Sequence, residues 1–145
     1  MAMAVNDQFE LTGALQIRLN DEVVKKTNNT VVLAGKKWVA RRMKDTDTVM
    51  THMAVGTGTA AVNQSDTALG SELDRNALSV SGGTVANNTI TYESTWAAGD
   101  GTGAITEAGI FDASSGGDLL ARTKFDVVNK GANDSMTITW TITVS

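Results

Sequence analysis

The chain contains no cysteine and no proline among its 145 residues. Without cysteine, disulfides and thiolate metal sites are excluded, and packing and hydrogen bonds alone must hold the fold. Without proline, every tight turn depends on the 14 glycines and on asparagine and aspartate, which tolerate positive φ. Aromatic residues are scarce at 5% of the chain, so a sugar-binding surface of exposed rings is poorly supplied. His52 is the single histidine, which removes any two-histidine metal site within one chain. No apolar run approaches the ~18 residues of a membrane span, and M-A-M-A-V-N-D-Q-F-E lacks the basic and apolar regions of a secretory signal. The expectation is neither membrane insertion nor export, and the Asn-x-Ser/Thr sequons at Asn28, Asn63, Asn87 and Asn133 carry no functional weight.

Positive charge is confined. Residues 1–44 hold eight of the 12 Lys and Arg against four acids, a local +4, and the remainder holds four against twelve, a local −8. An acidic body with one basic segment argues against a nucleic-acid binder, whose basic stripe should dominate. It suits docking onto a surface of complementary charge.

What the chain has in quantity is period-two alternation. In S-M-T-I-T-W-T-I-T-V-S, residues 135–145, Met136, Ile138, Trp140, Ile142 and Val144 share one face and four threonines the other. That is the pattern of a half-buried β-strand. Similar segments are predicted at 11–19, 49–55, 77–80, 84–96, 105–112, 119–127 and 136–144, with residues 20–28 and 59–75 as polar connections. Glycines at 82–83, 99–103, 116–117 and 131 separate the later strands. One helix is predicted at about 30–44, capped from Asn28-Asn29-Thr30, with Leu33, Val39, Ala40 and Met43 toward a sheet and Lys36, Lys37, Arg41 and Arg42 toward solvent. The basic cluster at its end matches the helix dipole, worth ~0.3 to 1 kcal/mol per exposed charge. The expected fold is all-β: one antiparallel two-sheet sandwich over residues 11–145, with this helix and an N-terminal arm at 1–10.

Signals of catalysis are few. His52 lies mid-strand and no G-x-S-x-G elbow exists for a serine triad. V-G-T-G-T-A-A, residues 55–61, imitates a dinucleotide fingerprint, but no helical periodicity follows the glycines, so no helix N-terminus would meet a pyrophosphate. One carboxylate, Asp100, among the glycines of 99–103 falls short of a calcium site's ligand set. Glu107, Asp112 and Asp126 are spread along strands, with no distinguished acid/base pair. The expectation is no enzyme, no cofactor and no metal.

T-H-M-A-V-G-T-G-T-A-A-V-N-Q-S-D-T-A-L-G, then I-T-E-A-G-I-F-D-A-S-S-G-G-D-L-L-A-R-T-K-F, and the final D-S-M-T-I-T-W-T-I-T together resemble small structural proteins of tailed bacteriophages. The resemblance covers roughly residues 49–144. It implies a virion protein of sandwich or jelly-roll type, best fitted to a cement or decoration role on the capsid exterior after synthesis in the host cytoplasm. Its implied partners are the major capsid protein and further copies of itself, as a dimer or trimer at symmetry axes. A tail-fibre, baseplate or receptor-binding component is the alternative, although heptads and collagen-like repeats are missing. The candidate capsid contacts are Val5 and Phe9 in the arm and Lys36, Lys37, Arg41 and Arg42 on the helix, with the 59–75 loop reaching a second subunit.

Overall fold

The computed structural model describes residues 9–145, so Val5 and most of the expected arm lie outside the described residues. The chain forms β1 (Leu11–Leu19), β2 (Glu22–Asn28), β3 (Thr30–Val31), α1 (Leu33–Met43), β4 (His52–Gly56), β5 (Glu72–Ala77), β6 (Thr84–Ala86), β7 (Thr89–Trp96), β8 (Gly103–Phe111), β9 (Leu119–Lys130) and β10 (Met136–Val144). Two five-stranded antiparallel sheets result, ordered β2-β1-β10-β7-β6 and β3-β9-β8-β4-β5. The expected all-β sandwich with one helix is therefore observed.

The alternation in β10 decides the architecture. Met136, Ile138, Trp140 and Ile142 are buried while the intervening threonines are half-buried on the outer face. Register carries the pattern across the sheet: Ile17 lies opposite Ile138, Leu15 opposite Trp140, and Trp140 opposite Tyr92. Each face is thus uniform from strand to strand, which is where sheet stability is generated. The second sheet presents Met53, Val55, Ile105, Ala108 and Ile110 to the same core, with Trp96 and Trp140 fully buried between the layers.

β7 and β8 run as one arm of a long folded hairpin and β9 and β10 as the other. β8 pairs with β9 in the second sheet, and β7 pairs with β10 in the first. The arms change sheet together, at 97–102 and 131–135. There the buried Lys130 ammonium donates to the Ala97 carbonyl at 3.0 Å.

Two predicted connections are strands. β2 was expected to be loop, yet Asn20 and Asp21, with φ of 50° and 67°, form a two-residue hairpin turn of the positive-φ kind that matches strand twist. β5 lies within and beyond the end of the expected 59–75 loop and pairs with β4. The segment expected at 84–96 is broken by Asn87, at φ 53°, into β6 and β7.

The helix is shorter than expected and turned differently. Its N-cap is Val32, with no side-chain cap, because residues 28–31 are taken up by β2 and β3. Leu33 and Met43, expected to face a sheet, are 48% and 84% exposed, and Ala40 is exposed too. Gly35 and Trp38 are the buried positions. A Cβ on Gly35 would come within 2.0 Å of the Leu120 carbonyl oxygen, so this glycine lets the helix lie directly on β9. Trp38 enters the sandwich core and donates its indole N–H to the Thr48 carbonyl at 2.7 Å.

The outer face of the second sheet is also covered. Val32, Ala54, Leu69, Phe111 and Leu119 form a smaller apolar cluster beneath the start of the helix and the 57–71 loop. Leu69 anchors that loop to the sheet.

Candidate functional site

Glu107 of β8 and Arg122 of β9 are buried at 0% and 2% exposure and joined by an ion pair of 2.9 Å. The β8–β9 register brings them onto one face, since Gly109 lies opposite Arg122. Glu107 Oε1 accepts from Arg122 Nε at 3.1 Å and Nη2 at 2.9 Å and from the Gly70 amide at 2.8 Å. Its Oε2 accepts from the amides of Gly58 at 2.7 Å and Ser71 at 2.8 Å. Arg122 also donates to Asp66 Oδ2 at 2.9 Å and to the carbonyls of Ala60 at 3.1 Å and Ala61 at 3.4 Å. Burial alone would push the Glu107 carboxyl up, but the amides of Ser71, Gly70 and Gly58 and the guanidinium outweigh it and hold it below its ordinary value.

The glycines of A-V-G-T-G-T now have a reason. A Cβ on Gly58 would lie 2.1 Å from Glu107 Oε2, and one on Gly56 2.4 Å from the Ser71 carbonyl oxygen. The motif is the socket of a buried carboxylate, and β4 ends at Gly56 without a helix following. Sequence reasoning treated Glu107 as one of several scattered acids and did not single out Arg122. The available signal was a glutamate inside the apolar I-T-E-A-G-I-F and an arginine inside L-L-A-R-T, opposite charges on two strands of one hairpin.

A second ionic cluster lies at the C-terminal end of the helix. The carboxylates of Asp47, Asp112 and Asp118 come within 4.8 Å of one another. Arg41 sits among them, donating to Asp47 and, at 2.6 Å, to Asp118. The Arg41 hydrogen bond holds Asp47 below the usual carboxylate range. Asp112 accepts from the Asp118 amide at 2.6 Å. This arrangement fastens the helix to the β8–β9 turn, with a guanidinium already neutralising the acids.

The sequence-predicted contacts accordingly divide. Arg41 and Arg42 are half-buried and committed internally, Arg42 to Asp45 at 3.3 Å and to the Asp47 carbonyl at 2.7 Å. Lys36 and Lys37 are exposed and make no ion pair among the described residues. Phe9, 64% exposed, lines an apolar groove of about 320 Å³ together with Leu11, Lys36, Val39, Ala40 and Met43. Two candidates far apart in sequence, Phe9 and Lys36, thus share one site. The 57–71 loop, expected to reach outward, is held to its own sheet by Glu107 and Arg122.

Other features carry less chemistry. His52 is half-buried, its Nδ1 2.8 Å from Thr51 Oγ1, and burial with nearby Arg75 pushes its pKa down. Trp38, Trp96, Trp140, Tyr92, Phe111 and Phe125 are all buried, leaving Phe9 as the exposed ring. A shallow polar groove on the outer face of the first sheet is lined by Gln16, Lys26, Asn28, Thr139 and Thr141 among others, with no aromatic. No described helix is long and apolar enough to cross a membrane. Comparison with family models, curated proteins and solved structures returns no match for the chain.

Proposed function

We propose that this chain is a bacteriophage virion structural protein that cements or decorates the capsid exterior, bracing neighbouring major capsid subunits. The observation that carries the reading is the groove at the foot of the helix. It joins the exposed Phe9, where the described chain begins, to Met43 and Lys36, with unpaired Lys37 on the same helix. An apolar slot with one free cation, Lys36, at its rim fits a subunit surface that offers an apolar side chain beside an acidic group. The resemblance of the A-V-G-T-G-T, I-T-E-A-G and L-L-A-R-T blocks to phage structural proteins supports the class. Those blocks converge on Glu107 and Arg122, whose hydrogen-bonding groups are consumed inside the protein, which favours a scaffold over an active site. Binding the assembled shell and not free subunits would stabilise the assembly by mass action. A jelly-roll relationship belongs to the same proposal: β1 beside β10 and β3 beside β9 is the nested pairing that such folds share, although the direct β8–β9 hairpin replaces one crossing between sheets.

The test is the copy number of this chain in purified virions, measured by quantitative mass spectrometry against the major shell protein. An abundance near that of the shell subunit is the expected result. A trace ratio would transfer the protein to a tail fibre or baseplate. On shells, Phe9→Asp with Lys36→Glu should lower occupancy while leaving the domain folded.

A further inference from the structure

Residues 57–71 join β4 to β5 across the outer face of the second sheet, and the two ends of this loop are already together. Gly56 lies opposite Glu72 in the β4–β5 pairing, and the Thr57 amide donates to the Ser71 carbonyl at 2.9 Å. A loop closed at its base by its own flanking strands is of the Ω kind, and it can lift and return with its closure entropy unchanged. What holds it down is chiefly polar. Only Gly58 and Leu69 are buried, with Val62 and Asp66 half-buried and the rest exposed.

The loop is tied to four residues outside it. Glu107 accepts from the amides of Gly58, Gly70 and Ser71, and Arg122 donates to Ala60, Ala61 and Asp66. Thr106 Oγ1 donates to the Gly58 carbonyl at 2.7 Å, and the Leu33 amide donates to the Gln64 carbonyl at 2.8 Å. That last bond reaches the helix. α1 starts with no side-chain cap and no acidic residue in its first turn, so its leading amides have few acceptors and Gln64 supplies one. Leu33, Ala34 and Lys37 of the helix and Ser65 and Thr67 of the loop line one groove of about 240 Å³ between the two elements.

We infer that residues 57–71 are a strap that opens as one unit from an otherwise intact sandwich, uncapping the first turn of α1 and uncovering the apolar shelf of Val32, Ala54, Phe111 and Leu119. One carboxylate makes the unit cooperative: Glu107 holds Gly58 at one end of the loop and Gly70 and Ser71 at the other, and it also holds Arg122, which ties the middle. Opening strands no charge, because Glu107 and Arg122 stay paired on the β8–β9 hairpin and become hydrated there. The amides and carbonyls that leave them find water in exchange, so each bond opposes opening by only a fraction of its gross strength. The helix keeps its seat on β9 through Gly35 and Trp38, which the strap does not touch. The inference rests on the bonds of this loop and not on the virion reading.

Native-state hydrogen exchange on the full chain in low urea is the experiment. The Gly58 and Leu33 amides should share one opening constant with a shallow urea dependence, and exchange at least ~10-fold more readily than the Trp140 amide of β10. Glu107→Gln, which meets the loop at Gly58, Gly70 and Ser71, should speed exchange at the distant Leu33 amide by the same factor as at Gly58. Thr106→Val, which removes one tie at Gly58, serves as the second variant should the first misfold. The chain has no cysteine, so Ala54→Cys beneath the strap and Ala108→Cys between the sheets each carry a single thiol. Under native conditions the first should react with a thiol reagent at least ~10-fold faster than the second. Exchange at Gly58 through global unfolding alone, or a Leu33 amide that ignores a variant to which Gly58 responds, would overturn the inference. Equal protection of the two thiols would do the same.

Discussion

Replacing Glu107 by alanine removes the acceptor for five hydrogen bonds, three from backbone amides and two from Arg122. Breaking a buried ion pair by deleting one partner typically costs ~3 to 5 kcal/mol, because the other charge is left uncompensated. Here Arg122 keeps Asp66 at 2.9 Å and two carbonyls, so the guanidinium is not wholly orphaned and the lower end of that range applies to it. The buried amide of Gly58 adds ~1 to 3 kcal/mol if it stays without a partner, while those of Gly70 and Ser71, in exposed residues, can turn to water at a smaller cost. That sum exceeds what the 57–71 loop has to lose by lifting off, since Leu69 is its one buried large apolar anchor. The loop therefore releases before the full penalty accumulates, and the net cost settles at ~3 to 5 kcal/mol, a large share of a typical domain's stability.

Two assays separate the local and global parts. Urea unfolding followed by tryptophan fluorescence reads global stability, since Trp38, Trp96 and Trp140 are all buried. Limited proteolysis with mass mapping reads the loop, and new cleavage should fall within 57–71 while the rest of the chain stays resistant. Glu107→Gln keeps the volume but turns an amide N–H₂ toward groups that are themselves donors, so it should recover less than half of the loss. A Glu107→Ala cost below ~1 kcal/mol with an unchanged cleavage pattern would refute the claim that this carboxylate holds the loop, since a cost that small is typical of a surface pair.

Gly58→Ala should cost at least ~2 kcal/mol by the same assay, because its Cβ would come 2.1 Å from Oε2 of a carboxylate whose two oxygens are together held in place by five donors. The depressed Glu107 carboxyl stabilises the fold fully above its unfolded value near 4.5 and loses that contribution as pH falls through the lower folded value; urea midpoints should therefore decline below pH 4.5 less steeply in Glu107→Gln than in the parent. Tyr92, the single tyrosine, is pushed up to about 12 by burial, so absorbance at the tyrosinate band should not rise at its ordinary value of 10 while the chain is folded. Because the unfolded chain gives up that proton first, stability should fall as pH rises above 10, and a simple titration at 10 would contradict the buried position. Lys37→Glu should leave stability unchanged and, under the proposed capsid role, weaken binding to shells, whereas Arg41→Glu should destabilise the helix anchor at Asp47 and Asp118, a difference that thermal melts would register.

Period two made the central strands legible. β1 and β10 were predicted at the residues they occupy, because each buries one face and shows the other, and β8 and β9, buried on both faces over much of their length, were predicted to within a few residues from their apolar content and the glycines that bound them. β2 and β5 were not legible for the same physical reason in reverse. As edge strands they bury little on either face, so E-V-V-K-K-T-N and E-L-D-R-N-A carry no alternation and fold because their backbones are paired by β1 and β4. The helix face was misread because burial there is set by one close approach, Gly35 on Leu120, and by Trp38, and not by a broad apolar stripe.

The buried pair was illegible for a different reason: its partners lie 15 residues apart on neighbouring strands, and its remaining donors are amides, which carry no side-chain signature. Reading the motif blocks as separate turn and hairpin signals hid their common purpose. Gly56, Gly58, Asp66, Glu107 and Arg122 are the residues of those blocks that have little freedom to change, since each either supplies a charge to the cluster or clears space for it. The recognisable part of this sequence is then the part that builds the scaffold. Residues that distinguish one binding partner from another must be sought where nothing internal constrains them: at Phe9, Lys36 and Met43 around the groove, at the exposed Lys37 of the same helix, and along β6.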